Sequence, residues 1–99
     1  MMAGLKGISI EFKNHPEPDG ALATFTIDDC LIANNGGPAA ARPQILIHLP
    51  KKDDHDVNGA FVNYDGYDWH VIGTTVPQME GNTPTRWDRY AIAERFRML

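Results

Sequence analysis

The dipeptide Asp65-Gly66 constrains this chain more than any other feature. It separates Phe61-Val62-Asn63-Tyr64 from Tyr67-Asp68-Trp69-His70-Val71-Ile72. Both runs are rich in β-branched and aromatic residues. Asp and Gly tolerate the positive φ that a tight primed turn demands, so the pattern predicts a β-hairpin.

The rest of the chain carries the same period. Ile8-Ser9-Ile10-Glu11-Phe12 alternates apolar and polar, as a half-buried strand does. His15-Pro16-Glu17-Pro18-Asp19-Gly20 breaks it, because two prolines remove backbone donors and Asp-Gly closes a turn. A second strand is predicted over Leu22–Ala33. Phe25 and Ile27 share one parity there and Cys30 and Ile32 the other, so a β-bulge is expected at Asp28-Asp29. Gln44–Leu49 reads as a central strand ended by Pro50, and Lys51–Gly59 as a charged loop. Thr74–Thr85, with Pro77, Gly81 and Pro84, reads as another loop. Ala91-Ile92-Ala93-Glu94-Arg95 has helical propensity, but Trp87, Tyr90, Ile92 and Phe96 form no helical stripe, so strand is favoured. The expected fold is all-β: one domain over residues 1–99, a small antiparallel barrel or sandwich of five to six strands. Asn34–Pro43, small and polar with Gly36 and Gly37, is its long flexible loop.

Composition narrows function. Nine Lys and Arg against thirteen Asp and Glu give a net charge of -4, which argues against a free-standing nucleic-acid binder. Arg86, Arg89, Arg95 and Arg97 nevertheless gather near the C-terminus, and Asp53, Asp54, Asp56, Asp65 and Asp68 in the middle. Such segregation suits a subunit with different neighbours on two surfaces, or a solvated surface with chance clustering. Cys30 is the only cysteine, so an internal disulfide is excluded, and its apolar setting predicts a buried thiol. No apolar run approaches the roughly 18 residues of a membrane span, so a soluble protein made in a reducing cytoplasm is expected.

Candidate chemistry is sparse. Asp54–Asp65 places oxygen ligands at positions 1, 3 and 5 of a calcium loop, Gly59 at 6 and a carboxylate at 12. Its flanks read as strands rather than helices, and Asp at position 12 is shorter than the usual Glu. An acidic turn feeding the hairpin is the simpler explanation. His48, His55 and His70 lack the spacing of a zinc helix. The only serine, Ser9, lies near no candidate base in sequence, and phosphate-loop patterns are missing. No enzyme activity and no cofactor are expected. Trp69 and Trp87 fit core or rim packing; stacking on nucleic-acid bases, with Tyr64 and Tyr67, is the alternative.

Taken in order, TFTIDDCLIA, the flexible loop, QILIHLPKKDDHDVNGAFVNYDGYDWHVIG, a loop and NTPTRWDRYAIAERF resemble the head-completion, or stopper, proteins of tailed bacteriophages, a family of head-to-tail connectors also described as minor capsid or head-tail joining proteins. The similarity runs from Thr24 to Phe96. It implies a small β-barrel in the virion neck that assembles with itself as a hexameric or dodecameric ring beneath the portal and adaptor. It also implies a loop that projects into the channel and retains packaged double-stranded DNA. That loop maps onto Asn34, Asn35, Gly36, Gly37 and Arg42, and its small side chains predict steric closure. The tail-completion protein would dock on another surface, for which Arg86, Trp87, Arg89 and Arg95 are the candidates. The alternatives are a tail-completion (terminator) protein, whose family carries helices on its sheet, and a barrel that binds single-stranded nucleic acid.

Overall fold

The computed structural model describes residues 6–16, 24–35, 43–76 and 87–98. Six strands form: β1 (Ile8–Lys13), β2 (Thr24–Asn35), β3 (Gln44–Pro50), β4 (Phe61–Tyr64), β5 (Tyr67–Thr75) and β6 (Trp87–Met98). All pair antiparallel and close into a barrel in the order β1-β2-β3-β6-β5-β4. The all-β barrel is therefore the fold, and the segment around Ala91–Arg95 is strand.

The barrel interior follows the period-2 pattern. Ile10, Phe12, Ile27, Ile45, Ile47, Leu49, Val62 and Val71 point inward and are buried, with Ala91 and Ala93 of β6 beneath them. Two alanines on one strand leave room for the branched side chains of β3 and β5. Each fully buried aliphatic side chain is worth about 2–5 kcal/mol on truncation to alanine.

Three local devices shape the barrel. Tyr64 pairs with Tyr67 across the hairpin, with Asp65 at φ 55° and Gly66 at φ 81°, the primed turn read from the sequence. The bulge also forms: Ile8 pairs with Cys30 and Ile10 with Ile27, so Asp28 and Asp29 together oppose Ser9. Asp29 takes φ 66°, which turns both Ile27 and Cys30 inward. Gly7 packs on this bulge, where a Cβ would lie 2.5 Å from the Asp29 Cα. Two further register shifts, between Asp68 and Trp69 and between Val71 and Gly73, bend β5 around the barrel.

Several boundaries move. β2 continues through Asn34 and Asn35, paired with Ile45 and Gln44, so these residues belong to a strand and not to the loop. Pairing of β2 with a full-length β3 extends the ladder beyond the last apolar residue, where side-chain patterning carries no signal. Thr74 and Thr75 likewise join β5, held by Ala91 and Tyr90 of β6. Leu22 lies outside the described residues.

The barrel closes on its shortest ladder, between β1 and β4. Among the described residues β1 and β4 share a single register pair, Lys13 with Phe61. The remaining edges of β1 and β4 face each other across a cavity of about 270 Å³.

Candidate functional site

The strand order puts two connections at one end of the barrel and three at the other. The β2–β3 connection, the Asp65-Gly66 turn, the start of β1 and the end of β6 share one end; the β1–β2, β3–β4 and β5–β6 connections share the other. Between the ends, register fixes which residues share the outer face. Leu31, His48, Tyr90 and Thr75 are successive partners across β2, β3, β6 and β5. Ala33, Leu46, Ile92 and Gly73 form the next row. Their neighbours Ile47, Ala91 and Ala93 already fill the core, so this second apolar layer lies outside the barrel. Ile72 extends it and is exposed. Burial lowers the pKa of the half-buried His48 imidazole, which keeps the first row uncharged at neutral pH.

A third row, Gln44, Glu94, His70 and Phe61, borders these two. The Gln44 side-chain amide donates to a Glu94 carboxylate oxygen at 3.1 Å. The Phe61 and His70 rings stack at 4.5 Å, and Phe96 meets Phe61 edge-on at 5.3 Å. Apolar and aromatic side chains thus run from β2 to β4 on the barrel exterior. These apolar side chains, most of them half-buried, share their rows with the polar His48, Thr75, Gln44, Glu94 and His70.

Of the residues assigned to a channel loop, Asn34 is exposed at the end of β2 and Asn35 lies in the paired strand beside it. Gly36, Gly37 and Arg42 lie outside the described residues, as does Arg86. The docking set divides. Trp87 is only 5% exposed, and its indole N–H donates to the Asp29 carbonyl at 2.8 Å, tying β6 to the β2 bulge. Arg89 is held by its own chain. Arg95 alone among the described three presents its side chain to solvent, with the guanidinium 4.6 Å over the Tyr67 ring.

Arg89 organises the β3–β4 loop. Its Nη1 donates to the Asp53 carbonyl at 2.7 Å, and its Nη2 donates to Asp53 Oδ2 at 3.2 Å and the His55 carbonyl at 3.1 Å. The His55 backbone N–H donates to Asp53 Oδ2 at 2.9 Å, and its ring Nδ1 lies 2.7 Å from Oδ1. That ring stacks on Phe25 at 4.5 Å. Burial alone would raise the Asp53 pKa, but the His55 and Arg89 hydrogen bonds outweigh it and hold the carboxyl below its ordinary value. The five bonds form a structural clasp.

The calcium-loop pattern does not close. Phe61–Tyr64 is a strand, which carries Asp65 roughly 13 Å from the loop end of β4. Asp56 instead caps its own turn, accepting from the Asn58 backbone and side-chain N–H groups at 3.0 Å. The three histidines sit apart, on Tyr90, Phe25 and Phe61. Among the described residues no three His, Cys, Asp or Glu side chains gather as a metal site. Burial, aided by Asp53, Asp29 and Asp28, pushes the Cys30 thiol up to about 12, which makes it a poor nucleophile. Trp69 is 6% exposed and donates to the Tyr64 carbonyl at 2.7 Å, so its ring is not offered to a nucleobase.

Two features escaped sequence reasoning. One is the apolar exterior, which Leu46 signals: Ile45-Leu46-Ile47 is apolar on both parities, as a strand covered on both faces is. The other is Asp68, fully buried, with Oδ2 accepting from Arg97 Nε at 3.3 Å and Oδ1 lacking a hydrogen-bond partner among the described residues. No motif announces it. Comparison of the chain with protein-family models, curated proteins and solved structures finds no match.

Proposed function

We propose that this protein is a structural, ring-forming neck subunit: a phage head-completion stopper that seals the DNA-filled head and presents a face to the tail. The observation that carries the proposal is the apolar exterior of β2, β3, β6 and β5. Leu31, Ala33, Leu46, Tyr90 and Ile92 lie on it although the barrel core is filled without them. A domain of 99 residues buries a modest fraction of its surface alone, and packing against copies of itself supplies the remainder. The paired ends of β2 and β3, at Asn35 and Gln44, lie together, so a ring built on this face sets those strand ends around one axis. The absence of helix among the described residues favours a stopper over a tail-completion protein.

Deletion of the chain from its parent phage or prophage tests the proposal by electron microscopy. Heads empty of DNA beside separate finished tails are expected. DNA-filled heads with overlong or unfinished tails would assign tail completion instead. Normal particles would refute both.

A further inference from the structure

We infer that the seam between β1 and β4 accepts an extended segment of a partner protein as an added strand, its apolar side chains turned inward and its basic side chains outward. The inference goes beyond the neck reading and does not depend on it.

Both walls of the seam are strand edges. On β1, Ile8–Phe12 pair with β2 on one side and, among the described residues, with no strand on the other. On β4, Val62–Tyr64 pair with β5 and, among the described residues, with nothing across the seam. The two strands meet at Lys13 and Phe61, and beyond that pair a cavity of about 270 Å³ lies between them. In a strand every second residue aims both its N–H and its C=O to the same side. Each wall therefore brings backbone donors and acceptors to the cavity, and one inserted strand pairs with both. Such groups require partners, and natural edges are covered, charged or paired. The open stretch of β1 is roughly 13 Å long, the reach of about five residues of strand.

The lining selects the occupant. The cavity floor is Ile10, Ile32 and Val62, which belong to the core or pack against it. Its rim is Ser9, Glu11 and Asn63, all exposed. Ser9 Oγ donates to Asp28 Oδ1 at 2.6 Å, which fixes a second carboxylate at that rim. Lys13, the cation of the lining, is 7% exposed and sits at the closed end. The charge shown by the open rim is therefore negative. Side chains of a strand alternate between the two faces of the sheet. An inserted strand thus lays one parity on the aliphatic floor and carries the other past Glu11. Main-chain pairing gives affinity; the alternation and the rim charge give selectivity for apolar-basic sequences.

Acetylated, amidated pentapeptides test the seam by NMR of the full ¹⁵N-labelled chain. Val-Lys-Val-Lys-Val at millimolar concentration is expected to shift the amide signals of Ile8–Phe12 and Val62–Tyr64 and to slow exchange of the seam-facing ones about tenfold. Val-Lys-Pro-Lys-Val, which lacks the central backbone donor, should leave them unmoved. Val-Glu-Val-Glu-Val should bind about tenfold more weakly, and Glu11→Lys on the exposed rim should narrow that difference. Seam-facing amides already as protected in the free chain as those facing β2, or no seam shifts with the basic peptide, overturn the inference. Equal binding of the two charges overturns the basic partner. Protection that grows with protein concentration alone makes a second copy the occupant and overturns it too.

Discussion

Replacing Arg89 with alanine separates a docking residue from a structural clasp. The guanidinium makes three hydrogen bonds, to the Asp53 carbonyl, Asp53 Oδ2 and the His55 carbonyl. Its side chain is 19% exposed and that of Asp53 13%, so solvent screening is limited. Bonds to a charged donor contribute about 1.5–3 kcal/mol each in favourable settings. Water reaches the loop carbonyls once the guanidinium is gone, so the low end applies to two of the three. His55 still holds the Asp53 carboxylate. The expected loss is about 3 kcal/mol. A domain of this size shifts in melting temperature by about 4–8 °C per kcal/mol, so Arg89→Ala should melt more than 10 °C lower. Differential scanning calorimetry of the variant at neutral pH gives the answer. Arg89→Lys, which supplies one charge but not the fork, should fall between the two. A variant that melts within 2 °C of the parent would refute the clasp and return Arg89 to the docking surface.

Asp53 gives the clasp a pH dependence. Its pKa is depressed in the folded state, so its contribution is present above the unfolded value of about 3.9 and lost as pH falls through the folded one. The stability difference between the parent and Asp53→Asn, followed by urea titration, should stay constant above pH 5 and shrink below pH 4; a constant difference down to pH 2 would contradict it. Cys30, with its pKa raised to about 12, should resist iodoacetamide at pH 8 in the native protein and react at once in denaturant, as mass spectrometry reads directly. Leu46→Glu, on the barrel exterior, should lower monomer stability by no more than about 1 kcal/mol yet abolish assembly by sedimentation and leave heads unsealed in complementation. Unchanged assembly would remove the outer face from the interface.

The sequence by itself determined the local β-structure. Period-2 alternation, the Asp65-Gly66 turn and the phase change at Asp28-Asp29 are written in residues adjacent along the chain, because φ preference and side-chain parity act over two to four positions. The burial of Cys30 followed from the same pattern. Tertiary structure decided everything that depends on which strands meet. Alternation names two faces but no neighbour, so the pairing of β3 with β6 and the near-open seam between β1 and β4 were not legible. The arginine-rich C-terminal segment shows the consequence. As sequence, Trp87, Arg89 and Arg95 form one patch. In the barrel, Trp87 caps the Asp29 bulge, Arg89 locks a loop that begins beside β3, and Arg95 reaches solvent. Long-range pairing gave three neighbouring residues three different environments, and environment, not residue type, decides whether an arginine binds a partner or its own chain.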